Sequence, residues 1–366
     1  MSLRKIISGP AFRAWFPLLV ILVFAGCTAG KYPQSTLNPK TDFTSMVDSV
    51  FMTTVRYAVV VFILVEGALV FAIFKFRGKP NDPEPKQTHG NTTVEIVWTV
   101  IPAVILALIA VPTIRGIFRT SEIPADALRV EVIGHQWWWE FRYPDLKVVT
   151  ANELHVPSGK KVVLLMTTAD VLHSFWTPQL AAKRDVFPGR HTSLWFTAPD
   201  SGRFDGQCAE FCGIQHARMG FVIYVNSPEG FDQWVGKQRV GSPMIDGGKV
   251  TVDSTAPADT TALASTAAHD SLMTRGTAIF LSGGCIGCHA MVGTPMAGQM
   301  GVVGPNLSHV GSRTTLVANL MPNTDDNLAR WLRDPQALKP GALMKLPRKL
   351  TEDEITTLVA YLQAHK

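Results

Sequence analysis

The stretch CAEFCGIQHARM, residues 208–219, sets Cys208, Cys212, His216 and Met219 within one short segment. All four are soft or borderline metal ligands. A Cys-x3-Cys pair outside the cytoplasm is open to a disulfide, and cysteine with histidine is open to zinc. Neither accounts well for Met219, a thioether that zinc seldom takes and copper often does. A one-copper blue site needs a single thiolate and two histidines. Here a second thiolate is present, His216 lies downstream and His173 lies upstream in DVLHSFW. That set fits two copper ions bridged by both sulfurs, each with one histidine and one weak axial group.

Around this stretch, residues 122–226 are dense in strand signals: LRVEVIGH, WWWEFRY, KVVLLMTT, HTSLWFTA and MGFVIYV, separated by Pro, Gly and Asp turns. They predict an all-β sandwich or barrel. A short helix, SPEGFDQWVGKQ, closes it.

The chain has 366 residues, of which 46% are hydrophobic and only 17% charged, which points to membrane segments and more than one folded unit. A net charge of +5 with no long basic run gives no case for nucleic acid. Residues 1–27 read as an export signal: Arg4, Lys5 and Arg13 precede WFPLLVILVFAG, and small residues stand before Cys27. This resembles a lipoprotein cleavage site with Cys27 as the lipid anchor, although Phe24 stands where leucine is usual. Residues 50–74 and 94–114 are each long and apolar enough to cross a bilayer. Lys75, Arg77, Lys79 and Lys86 lie in the connection between them. Basic residues stay on the cytoplasmic side, so the soluble parts lie outside the membrane.

Residues 240–269 are rich in Gly, Ser, Thr, Ala, Asp and Pro and read as a flexible linker. Beyond it, CIGCH at 285–289 is the most specific short motif in the chain. Two thiols at this spacing each form a thioether to a haem vinyl, and His289 then ligates the iron. Helical patterns follow at 271–284, 325–333 and 351–364, the last opening on LTEDE, a threonine followed by acids suited to a helix N-terminus. For the sixth iron ligand, Met291, Met296, Met300, Met321 and Met344 compete. Wrapping a haem needs chain length, which favours Met344 in KPGALMKLP.

Two resemblances add to this reading. GPNLSHVGSR, a methionine near prolines and a final helix resemble a class I cytochrome c, a family that implies Met344 as the axial ligand. The usual Met-Pro is Met344-Lys345 here. The pattern H…C-x-E-x-C-x3-H-x2-M, on a strand-rich domain after a two-helix hairpin, resembles cytochrome c oxidase subunit II over residues 40–226. With the cytochrome behind it, the chain resembles the caa-type oxidases, in which donor and acceptor share one polypeptide.

The resemblance implies a binuclear copper A centre: Cys208 and Cys212 bridging, His173 and His216 on one copper each, Met219 and the Glu210 carbonyl axial. It implies that the Glu210 side chain helps hold magnesium at subunit I, and that Trp137, first of the three tryptophans, receives electrons from cytochrome c. Strand alternation leaves the middle ring, Trp138, on the opposite sheet face. Glu95, in VEIVWTVIP, matches the mouth of a proton channel in subunit I; the alternative is an interfacial carboxylate at a helix start. LAAKRDVFPGR resembles a segment near subunit I, and Glu66 has no family role.

The domain expectation is therefore a signal at 1–27, a two-helix transmembrane hairpin in 28–118, a cupredoxin-like copper domain at 119–239, a linker at 240–269 and an all-α cytochrome c domain at 270–366. The implied protein is a non-catalytic electron-transfer subunit of a bacterial inner-membrane, proton-translocating oxidase, since the sequence offers no helical histidine pairs for oxygen chemistry. Its implied partners are subunit I, subunit III, membrane lipid and a cytochrome bc complex or soluble cytochrome c. A quinol oxidase subunit would lack the copper ligands, nitrous oxide reductase needs no membrane hairpin, and a copper chaperone needs no haem. A related nitric oxide reductase stays open.

Overall fold

The computed structural model describes residues 32–78, 83–84, 87, 89–239, 243–246, 249–252, 267–292 and 303–366. The export signal with Cys27, Lys79 and Lys86, most of the linker, and Met296 and Met300 lie outside the described residues.

Two membrane-spanning helices open the described chain: α1 (Asp42–Lys75) and α2 (Thr92–Ser121), with mean hydropathy 2.6 and 2.5 over their most apolar windows. Both outrun the apolar runs that mark them. The reason at the start of α1 is a cap: the Thr41 hydroxyl accepts from the Thr44 amide at 3.1 Å, ahead of the hydrocarbon segment. This foot is rooted in the soluble domain. Thr41 Oγ1 donates to the Leu180 carbonyl (2.7 Å), the Thr197 amide donates to Asp42 (2.8 Å), and Phe43 packs edge-on to Trp195. The first helix and the sandwich are thus joined by tertiary contacts as well as by chain connectivity.

The sandwich has ten strands: β1 (Leu128–His135), β2 (Trp138–Tyr143), β3 (Val148–Ala151), β4 (Glu153–Pro157), β5 (Lys161–Thr168), β6 (His173–Trp176), β7 (Arg184–Val186), β8 (Thr192–Thr197), β9 (Gly202–Cys208) and β10 (Gly220–Asn226). One sheet runs β3-β2-β1-β5-β8 and the other β4-β10-β9-β6-β7, with β1·β5 and β4·β10 parallel and the remaining pairs antiparallel. This is a cupredoxin-like sandwich. Trp139, Phe141, Phe175 and Phe221 fill its centre, Phe175 stacking on Phe221 at 4.2 Å. Gly206 makes room for that stack, since a Cβ there would collide with the Phe221 ring. Helix α3 (Pro228–Arg239) closes one end through Phe231 and Val235. Within the segment read as a linker, β11 (Pro243–Asp246) and β12 (Lys249–Val252) pair as a two-stranded sheet.

The C-terminal unit contains α4 (Ala267–Ser282), α5 (Asp325–Arg333), α6 (Pro335–Leu338) and α7 (Glu352–Ala364), with the short pair β13 (Thr315–Leu316) and β14 (Met321–Pro322). Helices α4 and α7 pack where Gly276, lacking a side chain, faces Tyr361, and Thr277 and Tyr361 hydroxyls meet at 3.1 Å. The α7 start is a capping box between Thr351 and Glu354, as LTEDE predicts. Phe280, Met291, Leu328, Leu332, Leu358 and Leu362 belong to a core separate from that of the sandwich.

His155 on β4 stacks on Trp234 at 4.3 Å and on Tyr224 at 4.9 Å, and its Nδ1 meets Asn226 Oδ1 at 3.0 Å. Burial pushes its imidazole down to about 4 despite that hydrogen bond. An unfolded chain would therefore take up a proton near pH 6.5 that the folded chain refuses, and stability falls as pH drops from about 6.5 to about 4. The expected loss is on the order of 3 kcal/mol. Urea unfolding followed by tryptophan fluorescence should show this slope, and His155→Phe should flatten it.

Candidate functional site

The metal-ligand candidates converge from three places. His173 begins β6, Cys208 ends β9, and the loop 209–219 carries Glu210, Cys212, His216 and Met219 between β9 and β10. Main-chain bonds set the loop: the Cys208 amide donates to the Met219 carbonyl, and the Ala209 amide to the Ser174 carbonyl, both at 2.9 Å. Cys208 Sγ lies 3.7 Å from Cys212 Sγ, 3.9 Å from His173 Nδ1 and 3.2 Å from the Glu210 carbonyl. Cys212 Sγ lies 3.7 Å from both His216 Nδ1 and Met219 Sδ.

These spacings carry a chemical test. Bonded sulfurs would stand about 2.05 Å apart, so the pair is not a disulfide here. Two donors each about 2.0 to 2.3 Å from one metal at near-tetrahedral angles stand roughly 3.3 to 3.8 Å apart. The set therefore fits metal ions seated between the side chains. His173 Nε2 is tied to Asp170 Oδ1 at 2.8 Å, leaving Nδ1 for a metal, the arrangement expected of a ligating histidine with an outer carboxylate. Burial would raise the Asp170 carboxyl, but bonds from His173, Val171 and Gln136 outweigh it and hold it low. The two thiols share one site: the Cys212 S–H hydrogen bond holds Cys208 low, and the Cys208 thiolate pushes Cys212 up.

Behind the loop, the Cys212 carbonyl accepts from Gln136 Nε2 (2.7 Å) and from the Trp137 indole (3.1 Å). Gly213, at φ +118°, permits this approach, because a Cβ would sit 3.1 Å from Trp137 and 3.0 Å from Gln136. All three tryptophans are buried. Trp139 enters the sandwich core, whereas Trp138 lies on the opposite face, stacked on His135 at 4.1 Å and donating to the Val303 carbonyl at 3.3 Å. The C-terminal unit covers it.

The second site is a cavity in the C-terminal unit, lined by Cys285, Cys288, His289 and Met344 and walled on one side by Trp137 and Trp138. His289 Nδ1 donates to the Pro305 carbonyl at 2.8 Å, which leaves Nε2 for a metal. Burial pushes its imidazole down, favouring the neutral ring that ligates. Gly304 keeps room beside it, since a Cβ would meet the His289 ring. Arg313 lines the cavity, and its buried Nε has no hydrogen-bond partner among the described residues. A haem carboxylate would satisfy that donor. Paired thiols, an oriented histidine, a facing methionine and this cation fit a covalently attached haem.

Glu95 occupies the first turns of α2. Its Oε1 accepts from the Asn91 amide at 3.3 Å, while Asn91 caps the Val94 amide. Glu66 is exposed along α1. Asp170, Gln136 and Lys339 were not singled out by sequence; only the three-residue offset of Asp170 from His173 was a usable signal.

A two-helix membrane anchor, a cupredoxin-like sandwich with paired cysteines, and a c-type cytochrome unit together define the class of electron-transfer subunits of respiratory oxidases. The family model described as cytochrome c oxidase subunit II, transmembrane domain, matches residues 35–115, and that of its periplasmic domain matches 148–226. The cytochrome c model matches 273–366. Cytochrome c oxidase subunit 2 of Alkalihalophilus pseudofirmus is 34% identical over 365 residues, 96% of each chain. That of Bacillus sp. strain PS3 is 32% identical over 366 residues, 95% of each chain. The crystal structure of the periplasmic domain of subunit II of cytochrome oxidase of Bradyrhizobium japonicum is 34% identical, with a TM-score of 0.32, covering 32% of this chain and 97% of that one. The chain belongs to the cytochrome c oxidase subunit 2 family, and its matched domains imply copper A and haem c binding.

If Asp170 orients His173, Asp170→Asn should weaken copper binding by about 10- to 100-fold. Copper titration of the purified protein, followed by visible absorption, would measure it.

Proposed function

We propose that this chain takes electrons from an upstream cytochrome bc complex or soluble cytochrome c and delivers them to subunit I, where oxygen is reduced to water and protons are translocated. Cys285, Cys288, His289 and Met344 would hold the haem. Cys208, Cys212, His173, His216, Met219 and the Glu210 carbonyl would hold the copper ions. When bound, the two groups supply one-electron redox chemistry without proton transfer. The protein holds these ligands on strands and a short, internally bonded loop, so that oxidation and reduction require little rearrangement.

The observation that carries this reading is the position of Trp137. Trp137 lines the haem-type cavity, and its indole donates to the carbonyl of Cys212. One residue therefore touches both candidate sites, and we assign it electron acceptance. Glu210 is half-buried on the ligand loop, and its carboxylate would help hold magnesium with subunit I. Glu95 stands at the mouth of a proton-uptake path in that partner, and subunit III completes the complex. The soluble domains face the periplasm or the extracellular side, with Cys27 as an added lipid anchor.

Electron paramagnetic resonance of the purified complex should show two coppers sharing one unpaired electron, together with one covalent haem. A single zinc, or a cystine at 208 and 212, would overturn the assignment. Cys212→Ser should abolish the copper signal and oxygen consumption from reduced cytochrome while leaving the haem bands. Met344→Ala should lower the haem midpoint potential by on the order of 0.1 V, read by redox titration. Oxygen rather than nitric oxide should be the substrate consumed.

A further inference from the structure

The two cores share no residue, yet the cytochrome unit sits on the sandwich through a set of polar contacts. Arg218 donates to the Leu338 carbonyl (2.7 Å), Lys339 Nζ to the Trp137 carbonyl (3.0 Å), the Gly220 amide to the Ala318 carbonyl (3.1 Å) and Asn319 Nδ2 to Asp205 (3.0 Å). Interfaces of this polarity within one chain behave like transient protein contacts.

One contact differs from the others in kind. Glu153 opens β4, the edge strand of its sheet, and is 2% exposed. Its Oε1 accepts four hydrogen bonds, all from the cytochrome unit: the Thr314 amide (2.9 Å) and hydroxyl (2.8 Å), and the Thr315 amide (2.8 Å) and hydroxyl (2.9 Å). The adjoining Arg313 is buried, which depresses its guanidinium to about 10, and the Glu153 charge works against that depression. A carboxylate held by two amides and two hydroxyls is a strong and directional acceptor. If that partner were withdrawn without water replacing it, the buried charge would be costly. The contact therefore favours two states, fully docked or fully solvated, over a loose intermediate.

Its placement gives it a purpose. Thr315 and Lys339 both line the cavity that holds Cys285, His289 and Met344, and so do Trp137 and Trp138 of the sandwich. We propose that Glu153 is a docking latch: by gripping Thr314 and Thr315 it holds the cytochrome unit in the one register in which its cavity closes against Trp137. Glu153 is a positioning residue, since it acts through the threonines and touches neither candidate metal site. Its effect on electron delivery rests on the reading given under Proposed function, where one electron leaves the haem and reduces the copper pair with no proton transferred.

The test uses the intact oxidase complex carrying Glu153→Ala, and separately the double variant Thr314→Val with Thr315→Val, which removes the two hydroxyl donors from the other side. Hydrogen exchange at the Thr314 and Thr315 amides should accelerate by about 10-fold or more in Glu153→Ala. Flash-initiated electron transfer from haem to copper should slow by a similar factor in both variants, with haem bands and copper resonance unchanged. Glu153→Gln, whose amide oxygen still accepts, should fall between. Unchanged amide exchange in Glu153→Ala would overturn the latch; faster exchange with an unaltered transfer rate would overturn its role in electron delivery. The exchange measurement involves neither metal group, so the latch and the electron-transfer reading fail separately.

Discussion

The sulfur atoms of two buried cysteines, held 3.7 Å apart, set the terms for the rest of this protein. Two thiolates at that distance would repel strongly where water is scarce, and a cation held by both sulfurs would remove that conflict. The sandwich supplies the rigidity such a site needs. Strands β6 and β9 deliver His173 and Cys208, and Asp170 and the main chain hold them in place.

The same rigidity extends outward in two directions. Toward the membrane, the capped foot of α1 is bonded to residues 179, 180 and 197, so the first spanning helix and the metal loop belong to one framework. Toward the cytochrome, Trp137 is held between the Cys212 carbonyl and Lys339 of the other unit. Hydrophobic burial stabilises each unit internally, whereas hydrogen bonds join them. Polar contacts of this kind lose little when water takes over.

Much of this was legible in sequence for identifiable reasons. β1 and β5 coincide with LRVEVIGH and KVVLLMTT, because β-branched runs bounded by turns specify buried strands. Helix α5 coincides with the 325–333 pattern. β9, GRFDGQC, carries two glycines and an aspartate and gave no strand signal; tertiary pairing with β10 and β6 overrides that weak propensity. The strands β11 and β12 formed where composition suggested only a linker. Trp138 sits on the face that alternation assigns to it, but the domain that covers it is distant in sequence.

Residue chemistry and local spacing by themselves marked the candidate ligands: Cys208, Cys212, His216 and Met219 within one short segment, CIGCH within another, and two apolar runs of membrane length. These are short-range facts, fixed by which side chains exist and how far apart they fall. Only the tertiary structure decided how close His173 comes to Cys208, that Asp170 turns its ring, and that Glu153 meets Thr314 across a separation of 161 residues. Such contacts depend on how two sheets and two domains pack, and packing is a property of the whole chain rather than of any segment.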